Sequence, residues 1–174
     1  LLNRAALEDV GVLDPTFFCY YEDTDLSWRM RLHGWQVVYE PAAVVEHLHA
    51  GTSVEWSPFF TFHVDRNRLF MILKNAPAGF VVSRFLGLGL MSLRTVARAL
   101  LRPLRPRPAA TASPAPGVSP LARAFAHAGV MRSFLANLPQ MLRKRHQIRG
   151  TSLVPDQEIM PWLHSRRLWE SRSV

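Results

Sequence analysis

Residues Phe17 to Arg29 read FFCYYEDTDLSWR, and the change of pattern inside that stretch decides how the chain is read. Phe17, Phe18, Tyr20 and Tyr21 favour extended backbone, whereas from Thr24 onward Leu26, Met30 and Leu32 recur at roughly helical spacing. A strand or loop is therefore expected to give way to a helix near Glu22. Carboxylates at such a junction lie at the positive end of the helix dipole, which stabilises their ionised form. Asp25 stands one turn before Arg29 and can pair with it. Two readings of the acids stand side by side. Asp23 is a charged group able to take a proton in a reaction centre, or Glu22, Asp23 and Asp25 are capping and first-turn acids only.

The following residues extend the pattern. Gly34 supplies the left-handed stop that commonly ends a helix. Trp35 to Tyr39 then has strand character, Pro41 interrupts, and Ala43 to Val45 forms a second apolar run leading to Glu46, His47, Leu48 and His49. Helix, glycine, strand, proline, strand, histidine is an α/β order.

That ordered set, GVLDPTFFCYYEDTDLSWRMRLHGWQVVYEPAAVVEHLHAGTS from Gly11 to Ser53, resembles the carboxyl-terminal half of the catalytic domain of family 2 glycosyltransferases, especially the bacterial rhamnosyltransferase-like and galactofuranosyltransferase-like members. The resemblance implies a partial GT-A (nucleotide-diphospho-sugar transferase) fold followed by amphipathic helices. It implies that Asp23, the second acid of the pair, is the general base for the acceptor hydroxyl, with Glu22 positioning it or touching donor or acceptor. It further implies that His47, with His49 as second choice, helps hold a divalent metal, Mg²⁺ or Mn²⁺; a strand-end histidine bonded to backbone is the alternative. Trp28 is a candidate for substrate contact or a ring packed beneath the helix. An inverting sugar transfer needs a carboxylate to deprotonate the incoming hydroxyl and a cation to offset the departing nucleotide diphosphate.

Other signals of such enzymes are missing. The sole Asp-x-Asp is Asp23-Thr24-Asp25, which belongs to the acid motif, and Gly87-Leu88-Gly89 lies in an apolar stretch without the third glycine of a phosphate loop. These gaps lead to the expectation of a fragment, lacking the donor-binding half and inactive alone. The single cysteine, Cys19, excludes an internal disulfide.

Four regions are expected: residues 1–77 as the half-domain, 78–102 as an amphipathic basic helix, 103–120 as a Pro/Ala-rich linker and 121–174 as a helical basic tail. Within Phe59 to Pro77, Arg66 and Arg68 are candidates for a donor or lipid-linked diphosphate, since a guanidinium can pair with phosphate oxygens; ordinary surface charge is the alternative. From Phe80 to Leu101, Arg84, Arg94 and Arg98, with Arg102 beyond, project onto one arc of an otherwise apolar helix. That is the pattern of a helix lying in a membrane interface with arginines toward anionic head groups, or of a helix packed on the catalytic domain with a solvated side. The longest uncharged interval, Phe85 to Leu93, is too short to span a bilayer, which takes about 20 residues. Pro139 is expected to divide the helical run from Leu121 to Ile148, which ends in Arg143, Lys144, Arg145, His146 and Arg149.

With 21 Lys and Arg and a net charge of +8, the partners expected are an anionic membrane surface, a nucleotide-sugar donor and a glycan or lipid-linked acceptor, at the cytoplasmic face of the cell membrane. Nucleic acid is not expected, because no recognition module or aromatic interleaving accompanies the basic residues. Two functions of different class result: the acceptor-side, base-bearing part of a metal-dependent inverting glycosyltransferase, or an inactive remnant acting as a membrane-association or interaction module.

Overall fold

Ser57 caps the longest helix of the amino-terminal region by accepting a hydrogen bond from the Phe60 amide at 3.2 Å, and Pro58 occupies its first turn, where a missing N–H costs nothing. In the computed structural model, which describes residues 1–46, 57–101 and 120–164, this helix is the third of six. The order is α1 (Arg4–Val10), α2 (Glu22–Leu32), α3 (Pro58–Asn75), α4 (Ala78–Leu101), α5 (Pro120–Gly150) and α6 (Asp156–His164).

The transition near Glu22 is where the sequence places it, and Gly34 just past α2 takes φ 85°, the left-handed conformation that glycine adopts without strain. The α/β expectation fails. No strand occurs among the described residues, so the chain has no GT-A sheet there. Trp35–Tyr39 and Ala43–Val45 lie outside any helix or strand, with Val38, Tyr39, Val44 and Val45 exposed. A strand exists only through its ladder, and no described segment offers these residues a partner.

What replaces the sheet is a helical core. Phe17, Phe70 and Phe134 are buried together, with the Phe17 and Phe70 rings edge to face at 6.3 Å and Phe70 on Phe134 at 6.0 Å. Val130, Phe134 and Met141 bring α5 into this core along α3, and the Arg145 guanidinium donates to the Leu73 and Ala76 carbonyls at 2.7 Å each, meeting the last carbonyls of α3. A smaller cluster of Ala6, Leu26 and Met30 joins α1 to α2.

Pro139 does not divide α5, which runs unbroken through it. The carbonyl deprived of its donor is that of Leu135, a residue on the exposed side of the helix, so water can satisfy it. Likewise α4 passes Gly87 and Gly89 without a break. No helix among the described residues is long and apolar enough to cross a membrane. The expected linker falls almost entirely outside the described residues.

Candidate functional site

The approach to α2 is strained backbone. Phe18, Tyr20 and Tyr21 all have positive φ, 64°, 69° and 69°, a region that bulky residues rarely enter and that persists only where surroundings enforce it. The enforcement is visible. Asn67 is fully buried, and its Nδ2 donates toward the carbonyls of Phe17 at 2.8 Å, Cys19 at 2.7 Å and Tyr20 at 2.8 Å. Arg66 Nη2 reaches the Phe17 carbonyl at 3.1 Å and the Thr16 carbonyl at 3.4 Å, while its Nε donates to Asn67 Oδ1 at 3.0 Å. Burial lowers the pKa of Arg66, and burial and the charge of Arg66 together lower that of His63, whose Nδ1 is 3.1 Å from Arg66 Nη2. Arg66 is therefore a brace of this loop.

A prediction follows from the acceptor-only character of the clamped groups. Asn67→Ala leaves the part-buried Cys19 and Tyr20 carbonyls without this donor, at a cost of about 1–3 kcal/mol for a group left unpaired. Asn67→Asp additionally sets carboxylate oxygens against those carbonyls and should be the less stable of the two in urea denaturation. The opposite ranking would show that the amide is not the clamp.

Just beyond the strained turn the three acids of α2 separate into different environments. Asp25 is fully buried: it accepts from Arg29 Nε at 2.9 Å, Lys74 Nζ at 2.8 Å and Asn75 Nδ2 at 2.7 Å. Arg29, as expected, pairs with it and also ties down the Val10, Gly11 and Val12 carbonyls. Lys74 continues to Asp14 at 2.7 Å, and Asp14 is met from α5 by Lys144 at 2.6 Å. Burial alone would raise the Asp14 carboxyl, but the hydrogen bonds from Lys144 and Lys74, the charge of Lys74 and the Thr16 amide outweigh it and hold the group well below its ordinary value of 3.8. Its stabilisation is complete above pH 3.8 and is withdrawn as pH falls below that value toward the folded-state pKa. Urea midpoints of the wild type should accordingly drop below about pH 4, the ordinary carboxylate range, and Asp14→Asn should flatten that slope; an identical slope in both would remove Asp14 from the acid response.

Asp23, by contrast, is exposed. Its Oδ1 accepts from the Thr24 amide at 2.6 Å and the Thr24 hydroxyl at 3.2 Å, and among the described residues it makes no ion pair. Glu22 is half-buried, with Oε2 buried and lacking a hydrogen-bond partner among them. Its charge, after burial, helps push the Cys19 thiol pKa up. The α2 terminus thus offers a carboxylate open to an incoming group beside one that is only partly solvated.

A cleft of about 510 Å³ adjoins this terminus between α2, α3 and α4. Tyr21 and Trp28 line it from α2 and its cap, Arg68 and Ile72 from α3, Phe80 and Arg84 from α4. Trp28 Nε1 is buried there without a partner among the described residues. Arg68 reaches Asp65 at 3.5 Å, and the Arg84 guanidinium lies 4.7 Å from the Phe80 ring centre. Glu22 and Asp23 border the cleft's chain segment and do not line it.

His47 and His49 lie outside the described residues. Among those described, no three His, Cys, Asp or Glu side chains gather to hold a metal. Sequence reasoning missed Asn67, Lys74, Asn75, Asp14 and Lys144 as parts of the scaffold, although Arg66-Asn67 and Lys74-Asn75, polar pairs on either side of the apolar run Leu69–Leu73, were a usable signal.

Over 47 residues the chain is 45% identical to the N-acetylglucosaminyl-diphospho-decaprenol L-rhamnosyltransferase of Mycobacterium tuberculosis, strain CDC 1551 / Oshkosh, and equally to that of strain ATCC 25618 / H37Rv. The match covers 27% of this chain and 15% of the length of each relative. No family model matches, and no solved structure matches. The chain carries a glycosyltransferase-like segment, and the relationship is shown to that depth.

Proposed function

We propose that the chain supplies the acceptor-side, base-bearing part of an inverting glycosyltransferase that moves a sugar, rhamnose in the first instance, from a nucleotide-diphosphate donor to a lipid-linked glycan. The observation that carries this reading is the division of labour within one turn of α2: Asp25 is buried and paired, while Asp23 is exposed and makes no ion pair among the described residues. A carboxylate spent on structure cannot take a proton, and Asp23 is not so spent. Glu22 orients the acceptor or the base from the half-buried side.

The cleft beside the terminus suits a lipid-linked acceptor. Its walls are mostly apolar, and Arg68 and Arg84 bring two cations of the type that binds phosphate oxygens, with the Trp28 indole N–H as a further donor. A divalent cation, Mg²⁺ or Mn²⁺, held with help from His47 and His49, belongs to the same proposal and would offset diphosphate charge; the residues above act as described without it.

The test is to supply the protein that carries these residues with a nucleotide-activated rhamnose and an N-acetylglucosaminyl-diphosphoprenol, and to separate the lipid products. A rhamnosylated lipid is expected. Nucleotide release without any new lipid species would overturn the acceptor assignment.

A further inference from the structure

On α4, Val82, Leu86, Leu90 and Leu93 are each more than half exposed, at 57, 61, 55 and 65%. At about 100° per residue they fall within one arc of roughly 80°. On α5, Met131, Leu135 and Leu142 are exposed as well and fall within an arc of roughly 40°. The two stripes belong to one surface. Ala78 at the start of α4 shares a cleft with Leu142, Arg145 and Arg149 near the end of α5, and further along α4 the Phe85 ring meets Phe134 at 5.4 Å, so the helices run antiparallel. Each stripe sits one residue beyond its contact residue, Leu86 after Phe85 and Leu135 after Phe134. In an antiparallel pair that shared rotational offset carries both stripes to the same side.

The margins of this surface are cationic. Arg94 borders the α4 stripe beyond Leu90, Arg132 and Arg143 border the α5 stripe on its outer edge, and all three are exposed. Nothing nearby in sequence offsets them: from Arg66 to Pro155 there are fifteen Lys or Arg and no Asp or Glu.

We propose that the joint α4–α5 face seats on an anionic lipid bilayer surface, its aliphatic side chains entering the acyl boundary and its marginal arginines meeting lipid phosphates. The chemistry selects this occupant. An apolar centre with an arginine rim matches an interfacial amphipathic surface, a second copy of so cationic a face would be repelled, and the aliphatic centre offers nothing to a nucleic-acid backbone. This corrects the single-helix expectation: Arg84, counted there among the lipid-facing residues, lines the cleft instead. The inference does not depend on the glycosyl-transfer reading.

Co-sedimentation of the full chain with phosphatidylcholine vesicles, with and without phosphatidylglycerol, tests it. The wild type should bind the anionic vesicles at least tenfold more tightly than the neutral ones. Arg132→Glu with Arg143→Glu should weaken anionic binding by about 25-fold or more, at roughly fivefold per arginine lost near the surface. Leu86→Glu with Leu135→Glu should weaken it at least tenfold, while Val38→Glu, on an exposed residue outside this face, should leave it unchanged; circular dichroism confirms that each variant is folded. Equal binding to both vesicle types, an unaffected Leu86/Leu135 variant, or self-association without vesicle binding would overturn the proposal.

Discussion

Asp25→Ala is expected to destabilise the protein by about 3–5 kcal/mol, the cost of leaving a buried cation without its counter-charge. The reason is the number of elements meeting at one carboxylate. Asp25 receives Arg29 from its own helix and Lys74 and Asn75 from the end of α3, and Arg29 in turn fixes the carbonyls after α1. Losing the carboxylate strands the Arg29 charge and leaves Lys74 to Asp14 alone, in a region where both cations are almost fully excluded from water. Asp25→Asn keeps the shape and some hydrogen bonds and should fall between the two. Urea denaturation with far-ultraviolet detection reads the difference; a loss below about 1 kcal/mol would place Asp25 in the range of an exposed ion pair and remove the network from the folding account of this region.

Asp23→Asn should do the reverse: lower sugar transfer by roughly 10²- to 10⁴-fold, the usual value of a positioned base, and leave the unfolding midpoint within experimental error of the wild type. Among the described residues its exposed side chain hydrogen-bonds to the adjacent Thr24 alone, so an amide in its place costs the fold little. The same substitution removes the exposed carboxylate at the α2 terminus that makes no ion pair among the described residues. Glu22→Gln should cost less in rate, because an orienting group still finds hydrogen-bonding capacity in the amide. Equal losses for the two variants would shift the base assignment to the pair as a unit.

Local chemistry was readable in the sequence and long-range pairing was not. The start of α2, its glycine stop and the Asp25–Arg29 pair depend on residues within a turn or two of one another, and each is where the pattern puts it. Strands depend on a partner elsewhere in the chain, so the alternation in Trp35–Tyr39 carried β propensity without a sheet to realise it. The scaffold beneath the site is equally non-local: Lys74 and Lys144 reach Asp14 across separations of 60 and 130 residues. Spacing in the sequence gives no hint of either. Asn67 was closer to legible, since a buried amide amid Leu69, Phe70 and Met71 needs partners, and the Phe17, Cys19 and Tyr20 carbonyls of the strained loop are those partners.

The most direct test of Asp23 as proton acceptor is rhamnosyl transfer to an N-acetylglucosaminyl-diphosphoprenol by wild type and Asp23→Asn, with acceptor binding measured in the same preparations. If Asp23 takes the hydroxyl proton, the variant binds the acceptor as well as the wild type and turns it over at least a hundredfold more slowly, at the lower bound for general-base catalysis. Turnover of the variant within twofold of the wild type would contradict that role.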